Sequence, residues 1–120
     1  MSAAVVVAIR PRPDAWAVLA EALVTRRPVR AHYHASSRLL CPHVLGWRNG
    51  RAKVLSYQVD AAAASGAPVR RDQRWRLMFV DEIEDATLVD GEWQTASNYA
   101  CNCDGIDVVE LAVEAPKWRP

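Results

Sequence analysis

The chain has 120 residues, 51% of them hydrophobic and 24% charged, which is the size of one domain with enough apolar material for one core. Net charge is +1, and the longest early apolar run, Ala3 to Ile9, is too short to cross a bilayer. That run also lacks the basic flank and longer apolar region of a secretion signal, so membrane insertion and export are excluded and a cytoplasmic protein is expected.

Residues 1–12 combine this apolar run with Arg10-Pro11-Arg12, and a further proline follows at position 13, so a continuous helix is forbidden and a short edge strand or a loose arm is expected. Asp14 can cap a helix running to about Thr25. Trp16, Leu19, Ala20, Leu23 and Val24 recur at helical spacing and define its apolar face. Arg26 and Arg27 suit its C-terminal end, and Pro28 stops it. The period then falls to two. Val29, Ala31 and Tyr33 alternate with Arg30, His32 and His34, which predicts a half-buried strand. Ala35-Ser36-Ser37 reads as a turn, and Arg38 to Trp47 as a second strand in which Pro42 must sit at an edge or a bulge. Asn49-Gly50 is a hairpin signal that joins it to a third strand, Ala52 to Val59.

Asp60 to Asp72 is a small-residue connection. Two strands follow, Arg74 to Val80 and Ile83 to Val89, with a kink at Asp81-Glu82 and a turn at Asp90-Gly91. Ala96 to Gly105 reads as irregular, and Ile106 to Val113 as a last strand. One helix followed by five or six short strands predicts an α+β or mainly β small barrel occupying residues 13–115.

The near-zero net charge hides an uneven distribution. Between Arg26 and Arg76 there are eleven Arg or Lys residues against two acids; from Leu77 onward there are ten acids against two bases. Such asymmetry points either to an anionic partner or to neutralisation between the two parts, within the fold or across a homodimer. Three cysteines, Cys41, Cys101 and Cys103, leave one over after any pairing, which fits reduced thiols.

The ordered set Tyr33, Arg38-Leu39-Leu40-Cys41-Pro42-His43, Leu45-Gly46, Val54-Leu55-Ser56-Tyr57-Gln58, Ser65-Gly66, Trp75-Arg76-Leu77 and Val80-Asp81-Glu82-Ile83 resembles the WYL-domain family, in particular its compact single-domain members. The similarity covers roughly residues 16 to 99. It implies an SH3-like or Sm-like small barrel acting as a regulatory sensor, with a basic pocket for nucleotides or single-stranded nucleic acid. The triad that names the family falls near Lys53-Val54-Leu55, where only the Leu is kept, and Glu82 stands where the family carries an Arg. Ligand contacts made by those two residue types therefore do not transfer. There is no winged-helix segment in the sequence, so any gene regulation would act through a partner.

The candidate ligand-binding residues are Arg38, His43, Gln58, Ser65, Arg74 and Arg76. Arginine offers a planar fork suited to phosphate and histidine a pH-dependent donor. Tyr57 shares a strand face with Leu55 and Val59 and belongs to the core, so Gln58 on the other face is the better contact. Ser65 lies in a loop that can close over the site. The competing reading is that Arg38 pairs with a carboxylate such as Asp81, and that Trp47 and Trp75 are core aromatics rather than stacking platforms for a base. Cys41, His43, Cys101 and Cys103 number four zinc-type ligands, but the one-residue gap within each pair is shorter than structural zinc sites use, so no metal and no cofactor is expected. No nucleophile elbow, P-loop, zinc-protease or dinucleotide motif is present. The expectation is a non-catalytic module for an anionic ligand; the alternative is an interaction domain that self-associates through its basic middle and acidic C-terminal third.

Overall fold

The computed structural model describes residues 12–100 and 104–114. The apolar stretch Ala3–Ile9, Cys101 and Cys103 lie outside the described residues. Helix α1 (Ala15–Thr25) is followed by strands β1 (Val29–Tyr33), β2 (Ser36–Arg48), β3 (Arg51–Gln58), β4 (Trp75–Phe79), β5 (Ile83–Leu88) and β6 (Val108–Ala112). The six strands form one antiparallel sheet in the order β4-β3-β2-β1-β5, with β6 also paired to β2. The protein is thus an α+β fold, mostly β, with one α-helix among the described residues.

Helix α1 buries Ala15, Trp16, Leu19, Ala22 and Leu23, while Val24 is 66% exposed. The apolar stripe is therefore turned by one position from the expected one, because Ala22 rather than Val24 meets the sheet. Asp14 makes no side-chain cap and itself has helical dihedrals. The helix end is as expected: Arg26 turns left-handed at φ 56°, the Arg27 N–H bonds back to the Ala22 carbonyl at 3.0 Å, and Pro28 ends the segment. Each large side chain on this stripe contributes about 1.5–3 kcal/mol by leaving water.

The β1–β2 turn is tighter than expected. His34 and Ala35 form a two-residue hairpin turn with φ of 50° and 60°, so Ser36 and Ser37 already belong to β2. Asn49-Gly50 forms the same kind of turn between β2 and β3, with φ of 51° and 73°.

Pro42 explains how β2 serves three partners. The Leu39 carbonyl accepts the Val59 N–H, so by alternation Cys41 faces β3 and Pro42 faces the other side. On that side β1 has ended opposite Leu40 and β6 begins opposite Val44. The missing N–H of Pro42 thus falls in the gap, and the register shift between Pro42 and Val44 is the bulge the proline requires.

The two outer strands β4 and β5 are consecutive in sequence, joined by a single 3-10 turn at Val80–Glu82 where the kink was expected. The Phe79 N–H at the end of β4 reaches the Tyr33 hydroxyl on β1 at 3.1 Å. The sheet is strongly curled but not closed, since β4 and β5 do not pair among the described strands.

The main core lies between α1 and one face of the sheet and includes Val29, Leu40, Leu45, Val54 and Met78. On the opposite face a smaller cluster of Cys41, Tyr57 and Ala96 is packed by Val59, Trp75 and Trp93. Residues 93–99 cover this outer face without regular structure. The turn expected at Asp90-Gly91 is a bend leading into that stretch, not a hairpin.

Candidate functional site

Strand register gathers four of the six candidate residues on one face. Gln58 lies across from Leu40 on one side and accepts Arg74 as its neighbour on the other, where the Gln58 N–H bonds to the Arg74 carbonyl at 2.9 Å. Ser56 lies between Pro42 and Arg76. Residues two apart on a strand share a face, so Arg38, Ser56, Gln58, Arg74 and Arg76 all project from the helix side, at the end of β2, β3 and β4. All four of the larger side chains are half-buried.

Their charge is not met by carboxylates. Among the described residues, Arg27, Arg30, Arg51 and Arg70 form ion pairs with Asp90, Asp60, Asp81 with Glu82, and Asp72 respectively. Arg38 pairs with no acid; its guanidinium lies 5.2 Å over the Tyr33 ring, and Asp81 is taken by Arg51 in a two-pronged contact at 2.9 Å. Arg74 donates to the carbonyls of Val69 and Val59 at 2.9 and 3.0 Å. Arg76 donates to the carbonyls of Gln73 and Trp75, both at 2.9 Å. Backbone carbonyls satisfy donors without cancelling a full charge, so these guanidinium groups retain both net charge and unused N–H groups.

Two buried polar atoms on this face have no hydrogen-bond partner among the described residues: Oγ of Ser56, whose residue is wholly enclosed, and Nε of Arg38. An unmet buried donor costs about 1–3 kcal/mol, which makes both atoms notable on a face that also concentrates positive charge. Ser56 was not among the expected site residues. The signal was present, since strict alternation along Val54-Leu55-Ser56-Tyr57-Gln58 sets Ser56 on the face of Gln58.

His43 does not join this group. The bulge turns it to the outer face, where it is fully buried among the rings of Trp75, Trp93 and Tyr99 at centroid distances of 4.7–4.8 Å. Its Nδ1 donates to the Cys41 carbonyl at 2.7 Å, which leaves Nε2 to accept from the Thr95 hydroxyl at 2.9 Å. Burial pushes its pKa down to about 4, outweighing the Cys41 carbonyl, which pulls the other way. A neutral imidazole with both nitrogens engaged is a packing element, not a phosphate donor or a zinc ligand. Burial likewise raises the pKa of the Cys41 thiol, whose sulfur receives the Gln94 N–H at 3.4 Å.

Ser65 is exposed in the loop after β3, and its hydroxyl takes the Ala67 N–H at 3.4 Å. The loop is fastened by Arg74 through Val69, so its far limb is drawn toward the arginine face. Tyr57 is core as expected, although its hydroxyl has no hydrogen-bond partner. Trp47 stacks on Trp16 at 5.1 Å, and Trp75 packs against His43, Tyr57 and Tyr99, so both are built into aromatic contacts at the edge of the core.

Residues 93–99, which carried no recognisable motif, prove to organise the outer face. Arg71 donates to the Thr95 carbonyl, Trp75 Nε1 to Asn98 at 2.9 Å, and Asn98 to the Asp72 carbonyl at 2.8 Å. Three surface cavities, of about 910, 460 and 460 Å³, lie away from Arg38, Gln58, Arg74 and Arg76. The largest sits between the start of α1 and the β2–β3 hairpin, and its arginines, Arg12 and Arg51, are already paired with Glu110 and Asp81. Among the described residues no group of three or more His, Cys, Asp or Glu side chains is placed to hold a metal ion. No helix among them is long and apolar enough to cross a membrane.

Comparison with protein-family models, curated proteins and solved structures finds no match to this chain.

Proposed function

We propose that the chain is a non-catalytic regulatory module that holds an anionic, phosphate-bearing ligand on the face formed by Arg38, Ser56, Gln58, Arg74 and Arg76. The observation that carries this reading is the gathering on one face of Arg38, Arg74 and Arg76, whose guanidinium groups meet no carboxylate among the described residues. A phosphate oxyanion would accept from the N–H groups of the half-buried Arg38 and Arg76 forks. Gln58 would donate its amide, and Arg74 would hold the loop bearing Ser65 beside the ligand.

The resemblance to the WYL-domain family supports the same ligand class, a nucleotide or a single strand of nucleic acid. The curled sheet, with its outer strands joined by one 3-10 turn, supports an SH3-like small barrel as the parent architecture. The buried, neutral His43 and the buried Cys41 thiol lie where no substrate reaches them, which supports a binding rather than a catalytic role.

The test is a calorimetric titration with mononucleotides and with a single-stranded oligonucleotide, at low and at moderate salt. Binding should appear at low salt, and Arg38→Ala and Arg76→Ala should each weaken it roughly tenfold or more, the scale of a lost charge-assisted hydrogen bond. Arg27→Ala, whose partner Asp90 lies elsewhere, should leave it unchanged. Absence of binding at low salt refutes the reading. A dimer that dissociates with salt and ignores nucleotides would favour self-association through the basic middle and the acidic third instead.

A further inference from the structure

Tyr33, at the end of β1, connects the arginine face with a group of ionisable side chains that the binding reading does not use. Its ring carries the Arg38 guanidinium at 5.2 Å from the centroid. The imidazole of the next residue, His34, stacks on the same ring with centroids 4.0 Å apart. The Tyr33 hydroxyl accepts the Phe79 N–H at 3.1 Å, so the ring is held in place from β4. Tyr33 is buried and Arg38 half-buried, whereas the His34 side chain is 58% exposed and exchanges protons with solvent directly.

His34 faces acids. Its Nε2 donates to one Glu82 oxygen at 3.1 Å, and the other Glu82 oxygen accepts from Arg51 at 3.3 Å. Beside it His32 lies 3.6 Å from Asp85, and Asp81 and Glu84 line the same surface cavity. Among the described residues, Arg51 from β3 is the permanent cation that meets this group. With both imidazoles neutral, four carboxylates therefore stand against one guanidinium, and the cluster is negative. Each proton taken up by a histidine removes one unit of that charge, and histidine is the side chain whose charge changes across the physiological range.

We propose that His34 makes the arginine face responsive to pH, its protonation raising the affinity of Arg38 for a phosphate-bearing ligand. The inference rests on the anion-binding reading and adds the regulation of that site. Two effects act in the same direction. The Tyr33 ring attracts the Arg38 guanidinium through its electron-rich face, and an imidazolium stacked on that ring competes for the same attraction, which frees Arg38 to meet an anion. The new positive charge also lies one aromatic ring away from Arg38, inside the roughly 10 Å over which charges act at about 0.1 M salt. An interaction of this range, near the surface, changes affinity by about two- to fivefold.

The test is a calorimetric titration of the full chain at about pH 5.5 and at about pH 8, on either side of the histidine range. The probe is a thymidine oligonucleotide without terminal phosphates, whose own charge is the same at both. Affinity should be about two- to fivefold higher at the lower pH. His43 stays neutral at both, because burial holds its pKa at about 4. In His34→Asn, which tolerates the left-handed φ of 50° at this position, the difference should vanish. In His32→Gln it should persist. Protection of the β1–β2 amides from Val29 to Leu40 reports that each variant is folded. Binding without a pH difference, or a difference that His34→Asn retains, overturns the proposal and leaves the anion-binding reading standing. A difference lost in His32→Gln overturns it as well. No binding at either pH, even at low salt, overturns both.

Discussion

His43 and Ser56 sit on opposite faces of the same sheet, and each is buried with a polar atom that defines its role. For His43 the outcome is set by desolvation: among three aromatic rings the charged imidazolium is disfavoured and the pKa falls from 6.5 to about 4. The unfolded chain therefore binds the proton more tightly than the folded one. The stabilisation is fully present above pH 6.5, is lost as pH falls from 6.5 to about 4, and does not decline further below that. The loss amounts to about 3 kcal/mol and should appear in urea unfolding curves across this window. Replacing His43 with Gln should flatten the pH profile even where overall stability drops. Ser56 predicts the reverse of an ordinary core substitution. Its hydroxyl is buried without a partner among the described residues, so Ser56→Ala should stabilise the protein by about 1 kcal/mol in urea unfolding. A destabilised Ser56→Ala would mean that the hydroxyl has a partner in solution.

At the scale of elements, β2 is the organising strand, and its usefulness depends on two residues that weaken ordinary strands. Pro42 lies where one partner has ended and the next has not begun, so its missing donor costs no ladder bond. Gly46 lies where β6 crosses closest: a Cβ there would stand 2.0 Å from the Val108 carbonyl oxygen and 2.7 Å from the Ile106 side chain. Gly46→Ala should force β6 away and destabilise the protein by about 1–3 kcal/mol, read by denaturant unfolding. Amide protection should fall first in Val108–Ala112 while β1, β3 and β4 keep theirs. The alternation that predicts β1 to β5 held in the structure to within two residues at every end. The β1–β2 turn moved because His34 and Ala35 adopt left-handed dihedrals without the Asn-Gly or Asp-Gly pair that marks such turns in a sequence.

Across the whole molecule, charge divides into a neutralised part and an unneutralised part. Four arginines of the basic middle are spent on internal or local ion pairs, and these exposed contacts contribute little to stability. Arg38, Arg74 and Arg76 keep their charge at one end of the sheet. Three phosphate contacts on a single strand predict that log affinity falls against log salt with a slope of about −2. A slope near zero would remove the arginine face from the binding account even if some affinity were measured.

The amino-acid sequence by itself determined the helix limits, the five strands from β1 to β5, the β2–β3 hairpin and the parity that sets Gln58 apart from Tyr57. Each of these follows from periodicity, proline and Asn-Gly chemistry, which act over a few residues. Tertiary structure alone decided which charges are cancelled, because Arg51 meets Asp81 across thirty positions while Arg38 meets no acid among the described residues. It also decided the fate of His43, since a bulge two partners apart sends its ring to the outer face beneath residues 93–99. Pairing and burial depend on contacts between segments remote in the chain, and a local pattern does not encode which remote segment will arrive.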